Sequence, residues 1–324
     1  MSLTMDELAQ MLGVSKTTVH FALSGKGKVS AQTRERVKQK AAELGYQPNI
    51  LARSLRMKST SIIGVVMHTN FDDPIYGKFV ATIDTLAQAQ GYLTMHASGH
   101  HHPEKEQRAY EHFCGSGAEA LIIQPEPTAD PRRYHALARQ AMPIMTVLNQ
   151  VEGLPFDMVG IDDFATGYLA AQHLLSCGCR SIAFLGMALI DNSNWVRERL
   201  RGCDQAAREA GLPSIPVLHV PLVREEQSVL IAAAAGVVQT ALQHGLRCDG
   251  LVAANDMLAY SALQGIEQAG LRVPNDISVI GVDDAPFSSF CTPTLTTFIR
   301  PMVEIAEVTM DILFRRLQGA TRET

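Results

Sequence analysis

Apolar positions recur at helical spacing in three short segments at the start of the chain. Further on they become compact β-rich runs separated by longer helical stretches. Thr4-Met5-Asp6-Glu7 has the form of a capping box, with Met5, Leu8, Ala9 and Leu12 making one apolar stripe and Gly13 permitting a tight turn. Ser15 can cap a second helix whose inner face is Val19, Ala22 and Leu23, leaving Lys16, Thr17, His20 and Phe21 on the other side. Ser30 opens a third helix with Val37, Ala41 and Leu44 as its buried row, and Gly45 stops it. After Gly45-Tyr46-Gln47-Pro48, Asn49 can cap one more short helix, Ile50 to Leu55, read as a hinge.

Beyond Ser59-Thr60-Ser61 the pattern predicts strands at Ile62–Met67, Tyr92–Ala97, Ala120–Ile123, Ile144–Leu148 and Met158–Ile161. More follow at Ile182–Leu185, Val217–Val220, Leu251–Ala254 and Ile277–Val282. Between them lie helices ended by Gly91, Gly178, Gly211 and Gly270. Strands alternating with crossovers of this length imply parallel sheets, and nine strands are too many for one typical sheet. The expected fold is therefore an α/β core of two doubly wound parallel-sheet lobes behind an all-α helix-turn-helix domain. Its helical part is a head at 1–47 followed by a hinge at 48–60. In such sheets ligands bind outside the carboxyl ends of the strands.

Composition and charge sharpen this picture. The 324 residues carry a net charge of -5, are 46% hydrophobic and 19% charged, and so belong to an ordinary globular protein. The charge is divided, however. Ten Lys and Arg against four acids give residues 1–60 a net +6 and leave the remainder at -11. A basic head on an acidic body suits a module held to nucleic acid by phosphate neutralisation. With no export signal in its first residues and no apolar run of about 18 residues, the chain is expected in the cytoplasm without a membrane partner. The six scattered cysteines read as buried thiols of a reducing compartment.

A helix-turn-helix reads DNA because its second helix fits the major groove with its N-terminal side chains at base edges, while neighbouring amides and Lys or Arg hold phosphates. In Leu12-Gly13-Val14-Ser15-Lys16-Thr17-Thr18-Val19 the turn, the cap and the outward polar residues stand in that order. The first 60 residues closely resemble the DNA-binding head of the lactose and galactose repressor family. The resemblance rests on Val14 to Val19, Gly25-Lys26-Gly27-Lys28-Val29-Ser30, and the run from Glu43 to Leu55. It continues through Asp73-Pro74, Arg180 to Gly186, Ala253-Ala254-Asn255-Asp256, Val273 to Gly281 and Pro293 to Thr297.

The resemblance implies a homodimeric regulator whose core, similar to periplasmic binding proteins, binds a small-molecule effector and controls affinity for a palindromic operator. It implies one core lobe at 61–159 plus 292–319 and a second at 160–291. It places Lys16, Thr17, His20 and Phe21 on the base-reading face, with Thr4, Ser15, Thr18, Lys26, Lys28 and Asn49 completing the DNA-facing set. Leu55 matches an apolar wedge for a minor-groove base step, accompanied by Ala52 and Arg53. Phe21 departs from the polar reader common there: either it meets a thymine methyl or it turns into the head's own core.

For the effector the resemblance points to Arg199, Asn255 and Asp283, with Ile75, Tyr76, Asn149 and Asp162 at the lobe junction. Each has a plainer reading: Asn255, Asp162 and Asp283 as caps, Arg199 as an ion-pair partner. Family effectors are sugars, sugar acids or phosphates, and purines; Arg197 beside Arg199 hints at an acidic sugar. The alternative to a regulator is a soluble sugar-binding receptor.

Three consecutive residues converge poorly on one ion, so His100-His101-His102 with Glu104 is read as a solvated loop, and no metal or cofactor is expected. Cys177-Gly178-Cys179 falls at a helix end and is not read as a redox pair. Neither an activated nucleophile nor a metal cluster points to an enzyme. The family also implies a final strand after the last helix, whereas this sequence ends Gln318-Gly319-Ala320-Thr321-Arg322-Glu323-Thr324.

Overall fold

The computed structural model describes residues 3–25, 27–46, 60–68, 74–126, 130–187, 194–221 and 227–321. Lys26 and the hinge residues Asn49, Ala52, Arg53 and Leu55 lie outside the described residues, as does the hinge helix itself. Two compact units result, Met1–Thr60 and Ser61–Thr324.

The head is built by local hydrogen bonds. Helices α1 (Met5–Leu12), α2 (Lys16–Ser24) and α3 (Ala31–Glu43) are each opened by a hydroxyl, from Thr4, Ser15 and Ser30 respectively, that accepts a backbone N–H three residues on. Leu8, Ala9, Val19, Ala22, Val37 and Ala41 close the core. Leu44 does not join them: it is 39% exposed. Gly45 turns the chain at φ +61°, the Tyr46 amide donates to the Ala41 carbonyl at 2.8 Å, and Tyr46 takes the buried place expected of Leu44.

The larger unit holds two five-stranded sheets in which every neighbouring pair is parallel. The first, ordered β2-β1-β3-β4-β5, comprises β1 (Ile62–Met67), β2 (Leu93–Ser98), β3 (Ala120–Ile123), β4 (Ile144–Val147) and β5 (Asp157–Val159). The second, ordered β10-β9-β8-β6-β7, comprises β6 (Ile182–Met187), β7 (Val217–Val220), β8 (Gly250–Ala253), β9 (Ser278–Asp283) and β10 (Thr296–Ile299). Around the first sheet run α4 (Pro74–Ala89), α5 (Pro103–Gly115) and α6 (Pro131–Leu137), and around the second α7 (Asp163–Ser176), α8 (Asn194–Glu209), α9 (Gln227–Gln243) and α10 (Asp256–Gln268). The last helix is α11 (Met302–Leu317).

Both faces of the first sheet are covered at its centre, which is why β1 and β3 read as unbroken apolar runs, whereas the edge strands β2 and β5 carry polar residues. Ile63, Val65 and Met67 pack with Phe79 and Ile83 of α4 and Ile305 and Met310 of α11. Val66 lies on the opposite face, with Tyr110 and Phe113 of α5.

Two expectations need correction, one a lobe boundary and one the burial of the cysteines. The second sheet has a fifth strand, β10, which pairs with β9 from Thr296↔Ile280 to Ile299↔Asp283. Residues 292–299 therefore belong with the second lobe, and the chain returns to the first at Arg300, not at 292; α11 then packs on α4. Its Thr-Thr start and half-buried pattern, just after Pro293, hide this strand from an apolar-run criterion. Only Cys179 and Cys203 are buried, while Cys177, at the exposed end of α7, is open to solvent, so the uniform reading of buried thiols does not hold. None of the described helices is long and apolar enough to cross a membrane.

Candidate functional site

In the head, the hydrogen bonds that build α2 also fix what it presents. Thr4 and Ser15 are engaged as caps, Thr4 hydrogen-bonding Glu7 in both directions and Ser15 accepting from the Thr18 amide at 3.1 Å. Thr18 is further tied to Ser15 by a 2.8 Å hydroxyl contact. With Val19 and Ala22 buried, Lys16 and Thr17 are exposed at the N-terminal end of α2. The Lys16 ammonium reaches Asp6 at 2.6 Å, with both side chains solvated, which makes it a weak and exchangeable pair. Lys28 is exposed, and His20 is half-buried. Phe21 is not part of the buried core: it is half-buried and lies over the backbone of Gly27, where a Cβ would come within 2.6 Å of its ring.

In the core, the candidate effector residues gather at the carboxyl ends of the strands, and helix packing holds Arg199 there. Helices α7 and α8 cross at backbone distance, since a Cβ on Gly167 would strike the Arg199 carbonyl and one on Gly202 the Phe164 carbonyl. Arg199 is thereby buried, its Nε donating to Asp163 Oδ1 at 2.9 Å, Nη2 lying 2.8 Å from the same oxygen, and Nη1 donating to the Ala254 carbonyl. Trp195 covers the guanidinium at 4.9 Å.

Asp283 sits at the end of β9 with φ +136°, a strained conformation for a side-chain-bearing residue. The register that pairs Ile299 with Asp283 brings Arg300 alongside, and its Nη2 lies 2.7 Å from Asp283 Oδ1. Burial disfavours the Arg300 charge, but Asp283, with Tyr76 and Asp163 behind it, outweighs that and holds the guanidinium above its ordinary pKa. Tyr76 also accepts a hydrogen bond from Gln124 Nε2 at 3.2 Å. Two arginines and two aspartates thus form a buried cluster of balanced charge where the chain crosses between lobes.

Asn255 caps α10, accepting from the Leu258 amide at 2.9 Å, and Asp162 caps α7, accepting from Ala165 at 2.8 Å. Asn149 is buried and donates to the Pro125 carbonyl at 2.9 Å. Ile75, Asn255 and Asp283 line a cleft of about 880 Å³ with Asp256, Met257 and Tyr260, within the size range of small-molecule sites. Arg199, Tyr76, Asn149 and Asp162 are not among its lining residues. Arg197 is also absent from that lining; it lies 3.9 Å from Glu152 and 3.8 Å from Glu198.

Sequence reasoning missed Asp163, Asp256 and Arg300. Asp256 accepts from Thr297 Oγ1 at 2.6 Å and from the Ala285 amide at 2.8 Å, and burial pushes its carboxyl up to about 6. Also missed was the first sheet's contribution, where His68, His101 and Glu126 meet. Burial, with His101 and Arg300 nearby, pushes the His68 imidazole down to about 3. His68 and Asp256 had only their position just after a predicted strand as a signal, His101 stood in a histidine run read as a solvated loop, and Arg300 follows a strand that the sequence pattern did not predict.

Comparison with known proteins agrees with both units. Residues 4–49 match the profile of bacterial regulatory proteins, lacI family, and residues 171–324 that of a periplasmic binding protein-like domain. The chain is 31% identical over 317 residues to the HTH-type transcriptional regulator AscG of Escherichia coli, covering 98% of this chain and 92% of that protein. It is 30% identical over 322 residues to the ribose operon repressor of the same organism, covering 98% and 94%. Among solved structures, the lac repressor dimer bound to operator and the anti-inducer ONPF superposes with a TM-score of 0.84 at 26% identity, covering 98% of this chain and 94% of that one.

Proposed function

The chain belongs to the lacI family of bacterial regulatory proteins, and from that premise we propose that it is a transcription repressor that binds a palindromic operator as a homodimer under the control of a small molecule. The carrying observation is the N-terminal end of α2, where capping and core packing leave Lys16 and Thr17 exposed together on a head of net positive charge. That is the arrangement by which a recognition helix meets base edges while cations meet phosphates. The effector, a sugar or sugar derivative, occupies the strand-end cleft beside Asn255 and Asp283, and its binding changes operator affinity.

A second copy of the chain fits the exposed aromatic pair Phe287 and Phe290, 59% and 83% accessible on and just after a short 3-10 turn at Pro286–Ser289. The lac repressor structure, a dimer on its operator, supports the same assembly. The protein works in the cytoplasm and acts by binding rather than by turnover.

Fluorescence anisotropy at fixed salt tests the reading, comparing DNA from upstream of the gene with a scrambled duplex. The expected result is preference for the upstream site, relaxed by Thr17→Val. Lys28→Ala should weaken both duplexes alike and reduce the salt slope by about one. Equal affinity of the native protein for both duplexes would remove the reading. A thermal-shift screen over sugars, sugar acids, sugar phosphates and purines then identifies the effector by mass action.

A further inference from the structure

At the carboxyl edge of the first sheet, three residues from three strand ends converge: His68 directly after β1, His101 in the turn after β2, and Glu126 after β3. One ligand atom from each lies within 4.8 Å of the other two. The two Nδ1 atoms are 3.2 Å apart, and His68 Nδ1 is 3.8 Å from Glu126 Oε2. Around a dication bound at about 2.0–2.1 Å, tetrahedral geometry separates neighbouring donors by about 3.3–3.5 Å, so these spacings need only small adjustment.

The backbone is arranged for this meeting. His101 has φ +57°, and in that left-handed conformation its amide donates to the His68 carbonyl at 2.7 Å. A left-handed conformation is unfavourable for a non-glycine residue and persists where its surroundings impose it. The Glu126 amide is fixed from the other side by the buried Glu106 carboxylate at 2.7 Å and the Tyr134 hydroxyl at 3.0 Å. Glu106 and Tyr134 are themselves joined by a 2.6 Å hydrogen bond, so the segment carrying the third donor is rigidly seated.

We infer that His68, His101 and Glu126 form a binding site for one transition-metal dication of the zinc class. Two imidazole nitrogens and a carboxylate are a borderline donor set that suits such ions and not magnesium or calcium, which favour oxygen ligands throughout. Three protein donors leave a coordination position open. The consecutive run His100-His101-His102 contributes only its middle member: His100 is exposed, and the trio draws its other donors from β1 and β3.

Titration of untagged, full-length, chelator-treated protein with Zn²⁺ by calorimetry, and with Co²⁺ by visible absorption, tests the site directly. Neither reading depends on DNA or effector. One Zn²⁺ per chain is expected, with Co²⁺ giving ligand-field bands and excess Mg²⁺ not displacing it. His101→Ala and the near-isosteric Glu126→Gln should each weaken Zn²⁺ by at least about tenfold, the scale on which even supporting residues of metal sites matter. The double variant His100→Ala/His102→Ala should bind as the native protein does. Circular dichroism confirms that each variant is folded, and Glu126→Gln keeps the test sharp if an alanine variant is not. Absence of stoichiometric Zn²⁺ binding, full binding by both single variants, or loss only in the double variant would each overturn the assignment.

Discussion

Arg300 and Asp283 face each other across 2.7 Å where the chain leaves the second lobe for the first, one residue beyond the last pair of the β9–β10 ladder. Both are buried, and Tyr76 of the first lobe also interacts with the Arg300 guanidinium. The pair therefore belongs to the crossover rather than to either lobe alone. Removing one member leaves the other charged without compensation, a change that costs about 3–5 kcal/mol in comparable buried pairs. Arg300→Met and Asp283→Asn should each lower stability on that scale in urea denaturation, and the double variant should lose less than the sum of the two. Additive losses would show that the charges are not coupled.

Gly167 sits where α7 meets the Arg199 carbonyl, and no side chain fits between them. Gly167→Ala should therefore separate α7 from α8 and cost about 1–3 kcal/mol by overpacking. Because the same contact holds Arg199 against Asp163, that buried ion pair should loosen with it. A thermal scan of the variant beside the native protein measures the loss. An alanine variant of native stability would show that the helices separate without penalty.

Phe21 rests on Gly27, whose φ of +81° and lack of a Cβ make the contact possible. Gly27→Ala should destabilise the head through both strain and collision, while Phe21→Ala removes only the packing. If packing is what Phe21 supplies, operator selection on Phe21→Ala should return the native consensus with weaker binding throughout. A changed base preference at one position would instead place Phe21 on the DNA.

Asp256 gives stability a pH dependence whose sign follows from its raised carboxyl. In the folded protein it titrates at about 6, and in the unfolded chain at the ordinary value of 3.8. The folded state thus binds the proton more tightly. The resulting stability is fully present below pH 3.8 and is lost as pH rises through about 6, by at most about 3 kcal/mol. Asp256→Asn should remove this component, and unfolding free energies of the two proteins between pH 4 and 7 should diverge accordingly. Parallel curves would show that Asp256 titrates normally.

The head and most of the α/β alternation were legible in the sequence because their causes are local. Thr4, Ser15 and Ser30 cap helices three residues away, Gly45 turns the chain at the next residue, and a strand covered on both faces must be apolar throughout. Even the N-cap role of Asn255 was among its sequence readings. The tertiary structure decided the partnerships. Thr296–Ile299 becomes a strand only because β9 offers it an edge, and that pairing delivers Arg300 to Asp283. Arg199 finds Asp163 36 residues away, and His101 finds His68 33 residues away. Period and capping act over a few residues, whereas these contacts are set by strand order and helix crossing, so side chains that look solvated or structural one at a time become a cleft when the sheets bring their ends together.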